Sequence, residues 1–455
     1  MTKSGETLPL APKIDVAYII KIALVVTFVA SFLWSWVKID MSIFGFFSDF
    51  QNVINLFGRM YPPDFAEIST VISAMVETLW IALLGTLGAV ILSYPLALLA
   101  ASNTTPNRAL RAFSRGAITL SRAVPEIILA AIFVVAFGTG PFPGVLALAL
   151  HSIGMIGRLF ADALEKADEA PREALMAVGS TKRQTIRSSL IPQALPSMIA
   201  TALFRFEINL RGSAVLGLVG AGGIGTIISE SLETIQYRPA LAAVTVLFVV
   251  ILLTELASNA IRQSLIGTAA NIGLQSQHTR LWARLKQRRD TRVLNDSLER
   301  RSIVQPWTSE RLFRLGSMLL VTLLILIAFA TVDINWFQTL GNIDRVQIVL
   351  KQMVPPSFAG ERSMLISGLI ESVAISIVAT TLGVMVALPV GVLMARNLNV
   401  RKWFSTLMRI VVLAVRGIPE LIIAVIFVSA MGLGPVSGTL AMSIAVMVFG
   451  GKLFA

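Results

Sequence analysis

Cysteine is absent from the 455 residues, and histidine occurs only at His151 and His278. The first absence excludes disulfides, thiolate-bound metal and a cysteine nucleophile. The second leaves too few imidazoles for a histidine-based zinc site. Charge is also scarce: 14% of residues are Asp, Glu, Lys or Arg, against about 25% in an ordinary soluble domain. No G-x-x-x-x-G-K-[ST] loop, G-x-S-x-G elbow or H-E-x-x-H helix occurs. The chain therefore carries no Walker A phosphate cradle, and these hydrolase and metalloprotease signatures are missing. No catalytic residue, metal site or cofactor is expected.

What the chain has instead is apolar length. Apolar residues make up 55% of it, and the mean hydropathy is +0.78. Net charge is +12, but the basic residues fall between long apolar runs, as in cytoplasmic loops of membrane proteins, rather than in a nucleic-acid-binding patch. The run from Ala17 to Trp36 has the roughly 20 residues that a bilayer core requires. It is too long for the apolar region of a cleaved signal peptide, and it ends on Phe32, Trp34 and Trp36, an interfacial aromatic belt. Further runs lie near 71–101, 117–137, 143–160, 193–230 and 238–259, then 315–334, 366–395, 410–431 and 436–454. Helices are expected throughout, because a lipid-exposed strand leaves its backbone unpaired.

Loop charge sets the sidedness. The 102–116 loop holds Arg108, Arg111 and Arg115, and the 158–190 loop holds six basic residues including Lys182, Arg183 and Arg187. The 260–314 segment holds eleven basic residues against four acidic ones. These three read as cytoplasmic, whereas the 37–70 loop and the Gly138–Gly144 turn are poor in basic residues and read as external. About six spans precede residue 260. Residues 266–311 form a basic cytoplasmic linker, either a solvated helix against anionic headgroups or a docking surface.

The chain repeats itself. Residues 72–161 align without a gap with 366–455 at a constant offset of 294, about a third of the positions being identical. Arg122-Ala-Val-Pro125-Glu126 matches Arg416-Gly-Ile-Pro419-Glu420, and Gly138-Thr-Gly140-Pro141 matches Gly432-Leu-Gly434-Pro435. An even number of spans per unit makes the copies parallel, related by an axis along the membrane normal. The expected division is 1–265 for the first repeat, 266–311 for the linker and 312–455 for a partial second repeat of about four spans, reaching Ala455, the counterpart of Ala161.

One cytoplasmic loop carries a recognisable pattern. Glu173-Ala174-Leu175, three residues, Gly179, nine residues and then Ser189-Leu-Ile-Pro192 resembles the EAA loop of ABC-importer permeases. It departs at Leu175, Ser189 and Ile191. The residues are consistent with a short helix over Pro171–Val178, with Pro171 at its first position, where a missing N–H costs nothing. Gly179 then turns the chain in the left-handed region. Downstream, Phe204-Arg205-Phe-Glu207-Ile-Asn209-Leu-Arg211 and Val219-Gly220-Ala-Gly222-Gly223-Ile-Gly225 make the block similar to phosphonate-transport permeases in particular.

The resemblance implies an all-α integral membrane fold of the MetI-like, type I permease class. It implies an ATP-driven importer for phosphonates or related organophosphorus anions in the cell inner membrane. Its ATPase subunits would be separate polypeptides docking on Glu173, Ala174 and Gly179, with Pro192 marking re-entry to the bilayer. A periplasmic or lipoprotein phosphonate-binding protein would deliver substrate, and a second permease chain would complete the partial copy. A permease for another solute such as phosphite, or a secondary transporter with Glu207 carrying a proton, are the alternatives.

Charges inside a span are functional candidates. Glu207 and Arg211, four apart, are expected to pair on one helix face. Arg205 and Asn209 are candidates for the translocation path, with a guanidinium offsetting the substrate's charge; the competing role is an ion pair that locks packing. Gly220, Gly222, Gly223 and Gly225 suit close packing or a gate. Arg122 with Glu126, and Arg416 with Glu420, are expected as clamps at the cytoplasmic mouth. His151 reads as a hydrogen-bonded core residue.

Overall fold

The computed structural model describes residues 16–270, 309–332, 343–357, 360–395 and 402–454, except Ser42, together with Ile334 and Gly341. Most of the basic linker, with His278, lies outside the described residues. Helices account for all the regular structure described: α1 Val16–Lys38, α2 Ile43–Met60, α3 Ile68–Ala100, α4 Arg108–Ala123, α5 Glu126–Phe137, α6 Pro141–Glu165, α7 Glu169–Ala177 and α8 Lys182–Thr185. A π-helical turn, Ile186–Leu190, leads into α9 Ile191–Gly217, followed by α10 Ile224–Glu233 and α11 Tyr237–Ala270. Then come α12 Ser309–Thr331, α13 Ile343–Met353, α14 Arg362–Met394, α15 Lys402–Arg416, α16 Glu420–Met431 and α17 Pro435–Phe454.

Five helices are long and apolar enough to cross a bilayer: α1, α3, α6, α14 and the Tyr237–Arg262 part of α11. The count reaches seven if α4 with α5, bent by 84°, and α15 with α16, bent by 82°, each make one broken span. The breaks have a local cause. Pro125 and Pro419 precede α5 and α16, and the ring disfavours helical geometry in the residue before it. Gly138 and Gly432, at φ of 90° and 88°, end those helices, and a proline opens the next one in each case.

The two helix sets keep the sequence offset. From α3 and α14 through α6 and α17, the starts fall 294 residues apart in every pair. A detail repeats with them: Arg115 Nε donates to the carbonyl of Ala100 at 3.1 Å, and Arg409 Nε to that of Met394 at 3.2 Å. In each copy an arginine of the following helix thus satisfies an orphan carbonyl at the end of a span.

The chain forms two compact units, residues 62–355 and residues 1–61 with 356–455. This differs from the division expected from sequence. In the second of these units α1 lies along α14; Phe32, Trp36 and Ile39 pack with Ala374 and Val378. In the 62–355 unit α12 lies along α3, and α13 along α5. The helices preceding each repeat are therefore exchanged. The physical reason lies in the first helix itself: most of α1 is apolar on all sides, so its sequence marks no face for one particular neighbour.

Within the 62–355 unit, small residues let α3 and α6 approach closely. A Cβ on Gly85 would lie 2.8 Å from that of Leu148, and one on Gly88 would lie 3.2 Å from that of Ala149. Two apolar cores result. One holds Ala97, Ile118, Ile156, Phe160, Leu164 and Leu190 towards the basic loops. The other holds Ile81, Leu84, Phe133, Leu148 and Leu216.

Candidate functional site

Between those cores lies a polar layer. Arg205, 5% exposed, donates from Nε to Ser152 Oγ at 2.8 Å. Ser152 Oγ donates to Asn209 Oδ1 at 3.1 Å, and Asn209 Nδ2 donates to Thr86 Oγ1 at 2.9 Å. Thr86 Oγ1 closes the chain on the Ala82 carbonyl at 2.7 Å. At the other end Arg205 faces the Glu126 carboxylate across 3.6 Å. The chain of groups joins α5, α9, α6 and α3. Thr86 is 18 residues, about 27 Å, along α3 from Ile68, near the middle of the helix.

This corrects two expectations. Arg205 is enclosed and bonded rather than turned to an open path. Glu126 does not sit at the cytoplasmic mouth, and among the described residues no ion pair joins it to Arg122. α5 descends only 12 residues from Gly138, so its first residue, half-buried, reaches α9, where Gly212 makes room for it: a Cβ there would lie 2.9 Å from Glu126 Oε1. The Arg122 stem instead covers Gly154, where a Cβ would overlap it at 1.9 Å. In the second copy Arg416 is half-buried and Glu420 is exposed. His151 is half-buried and its Nδ1 lies 3.1 Å from the Val124 carbonyl, at the α4–α5 break.

The expected Glu207–Arg211 pair is also replaced. Glu207 meets Arg262 at 2.8 Å and Arg211 meets Glu255 at 3.2 Å. Both partners lie on α11, which runs against α9. Glu207 and Glu255 are 5% and 7% exposed. Two cross-helix pairs neutralise charge that a single helix would hold less well, because each carboxylate meets a guanidinium across a packed interface.

The glycine run forms the turn between α9 and α10. Gly220, Gly222 and Gly223 have φ of 85°, 79° and 79°, a region that residues with a Cβ rarely adopt. The turn meets the α5–α6 turn, where Gly140 N–H donates to the Gly220 carbonyl at 2.9 Å. Thr78 of α3 accepts the Ile224 N–H at 2.8 Å, and Glu77 lies where a Gly222 Cβ would come within 2.5 Å of Oε1. Gly225 packs so tightly that a Cβ would fall 1.9 Å from the Ala214 carbonyl oxygen. Both turns therefore meet about 15 Å along α3 from its start, ten residues from Ile68.

At the opposite end α7 stands out with no buried residue. It starts two residues earlier than expected. Asp168 caps it by accepting the Ala170 N–H at 3.1 Å, which puts Pro171 third rather than first, still within the turn whose N–H groups lack helical partners. Glu173 and Ala174 are exposed. Gly179, at φ 84°, closes the helix, and its N–H donates to the Met176 carbonyl at 3.0 Å. Thr181 and Gln184 form a capping box on α8. The π turn follows directly before Pro192, whose ring would clash with a carbonyl in an unbroken α-helix; the wider turn makes room for it.

Two residues that the sequence reading passed over hold this end together. Gln193, beside Pro192 at the start of α9, accepts the Asp168 N–H at 2.9 Å and donates to the Asp168 carbonyl at 3.4 Å. It ties the start of α7 to the start of α9. Glu165 accepts the Ser102 N–H at 2.7 Å and pairs with Arg115 at 3.0 Å and Arg111 at 3.4 Å. The carboxylate at the end of α6, and two arginines four apart across the bundle, were the legible signal.

The family model described as the inner membrane component of binding-protein-dependent transport systems matches residues 93–267, from the end of α3 through α11. The phosphate-import permease protein PhnE of Mycolicibacterium smegmatis is 38% identical over 405 residues, covering 89% of this chain and 70% of that protein. The chain belongs to the permeases of binding-protein-dependent transport. The phosphite transport system permease protein PtxC of Stutzerimonas stutzeri is 40% identical over 212 residues, covering 47% of this chain and 77% of that protein. Among solved structures, one chain of the inward-facing MetNI methionine ABC transporter is similar with a TM-score of 0.40 and 20% identity over 44% of this chain and 99% of that one.

The permease is a multi-pass inner-membrane component of an ABC transport system, a transport subunit rather than an enzyme. Such a component works with an ATPase and a substrate-binding protein.

Proposed function

We propose that this permease imports phosphorus oxyanions, phosphonates first and phosphite or phosphate as near relatives, driven by ATP on separate subunits that dock on α7. The observation that carries the coupling is α7 itself: without a buried residue, capped at both ends, and clamped through Gln193 to the helix that bears Arg205 and Asn209. The names of the relatives in phosphate and phosphite transport support the substrate class. A phosphonate-binding protein would deliver its load at the end where the glycine turns meet. ATPase closure would pull on α7, and the Gly179 turn and π turn would pass that pull into α9. Arg205, enclosed between Glu126 and Ser152, would act by tying α9 to α5 and α6 through the polar layer rather than as an open site for the anion. A second permease chain would pack beside this one at the exposed Glu420 face, and uptake is measured with and without it. The pairing of Glu207 with Arg262 speaks against a proton-carrying role for Glu207 in a secondary transporter.

The test is uptake of a radiolabelled phosphonate into cells lacking their own system. The permease is co-expressed with a phosphonate ATPase and binding protein, with an ATPase-dead control. Uptake that disappears in the control and is reduced by unlabelled phosphite supports the reading. Uptake that survives the dead ATPase but collapses with a protonophore contradicts it. Within this assay Gly179→Val should leave insertion intact, since no atom lies within 4 Å of the added Cβ. The left-handed φ costs a residue with a Cβ about 1–2 kcal/mol, so α7 should lose its fixed direction and uptake should fall at least tenfold. Gly179→Asn should retain most of it.

A further inference from the structure

On the basic side of the 62–355 unit, beside but separate from α7, lies a cavity of about 690 Å³. Its floor is apolar: Tyr94, Leu98 and Leu99 from the last two turns of α3, with Ile186 and Ile191 from the π turn and the start of α9. Its rim carries Lys182, Arg183 and Arg187, and no carboxylate lines it. Lys182 Nζ donates to the Thr105 carbonyl at 2.6 Å, which fixes one side of the mouth. Arg183 and Arg187 are exposed, and no ion pair occupies either of them among the described residues. They are four apart and so lie on one side of the helical segment.

We infer that this cavity holds an anionic phospholipid of the cytoplasmic leaflet, its phosphate at Arg183 and Arg187 and its upper acyl chain on Leu98, Leu99 and Ile191. The occupant follows from the order of the lining. Cations stand at the level of the basic loops and apolar side chains continue below them along α3, the same order as headgroup and chain in a bilayer. Basic pockets between spans on the cytoplasmic side suit anionic headgroups, at about 1 kcal/mol per Lys or Arg. A free phosphate ion would use the rim and leave the apolar floor without a role. The lipid would brace the π turn against α3, and therefore the link between α7 and α9.

The full-length permease, purified in mild detergent, would be titrated with phosphatidylglycerol and with phosphatidylcholine and bound lipid counted by native mass spectrometry. Phosphatidylglycerol should bind more tightly, and Arg183→Ala/Arg187→Ala should weaken it by about 25-fold, about 5-fold per charge, with a smaller loss for phosphatidylcholine, whose phosphate charge is offset by choline. Both positions are exposed, so insertion and thermal stability of the variant should match the parent. Leu98→Asn, which leaves the rim intact, should weaken both lipids. Equal binding of the two lipids by the parent would overturn the inference. So would an unchanged phosphatidylglycerol affinity in the double variant, or displacement of the lipid by millimolar inorganic phosphate, which would make the site one for a free anion.

Discussion

Replacing Arg205 with Met should abolish transport and strip the bundle of much of its stability. The guanidinium is 6% exposed at its side chain and sits between Glu126 and Ser152. Without it a half-buried carboxylate among the spans has no counter-ion, and the Ser152–Asn209–Thr86 chain loses its first donor. Removing one partner of a fully buried ion pair costs about 3–5 kcal/mol; the Glu126 side chain keeps 27% exposure, so the loss here should be about 1–3 kcal/mol. The result should be a detergent melting point well below the parent's, together with loss of uptake. Arg205→Lys should fare better on stability, since it keeps the charge, but not on transport, since one ammonium cannot serve Glu126 and Ser152 in the same geometry. Adding Glu126→Gln to Arg205→Met should recover part of the stability by removing the orphaned charge. If the double variant regained stability without regaining uptake, the polar layer would serve transport as well as packing. If it regained both, the pair would be a packing lock alone.

Gly225→Ala should be almost as damaging, although it adds one methyl group. Its Cβ would fall 1.9 Å from the Ala214 carbonyl oxygen and 2.9 Å from the Gly217 Cα. Backbone atoms, not a flexible side-chain end, fill that space, so α9 and α10 would have to separate. Overpacking of a tight site costs about 1–3 kcal/mol and occasionally more, and here the turn that supports the Gly140–Gly220 hydrogen bond would shift with it. Gly138→Ala is the contrast. Unlike the helical Gly225, it stands at positive φ, at 90°, and meets nothing within 4 Å. Its cost should be the backbone term alone, about 1–3 kcal/mol, because φ 90° with ψ 174° is a region essentially confined to glycine. The expected outcome is little folded Gly225→Ala protein in the membrane and nearly normal amounts of Gly138→Ala, measured by quantitative blotting of membrane fractions and size-exclusion profiles.

The contrast between these two glycines shows what a sequence can and cannot reveal here. Apolar length, loop charge and Pro-Gly punctuation determine helices one at a time, so α3, α6, α14 and the EAA-type helix were legible, whereas the breaks at Pro125 and Pro419 fall inside the runs 117–137 and 410–431, which read as continuous. Contacts between helices were not legible either. Glu207 and Arg211 satisfy the spacing rule for a pair on one helix, yet two opposite charges on α11 lie closer to them. Glu255 was the available signal, an acidic residue inside an apolar run. α9 illustrates the same limit. It is as long as the spanning helices, packs against α3, α6 and α11, and falls in the apolar run near 193–230, but its charges leave it less apolar than the five spanning helices. Its polar groups find partners only once four helices are assembled. The exchange of α1 and α12 was hidden for the opposite reason, because a helix apolar on every side does not encode its neighbour.

The central claim is that α7 is where the ATPase grips this permease. The absence of native cysteine makes a direct measurement clean: single cysteines at Ala174 and Met176 on α7, and at Ile235 near the opposite end, each exposed. The whole transporter would be assembled in membranes with a cysteine in the ATPase cleft and treated with a short bifunctional maleimide. A permease–ATPase adduct should form from Ala174→Cys and Met176→Cys, change in yield when ATP binds, and be absent from Ile235→Cys. Equal or no adduct at α7, with the ATPase captured elsewhere in a transporter that still imports, would contradict the account.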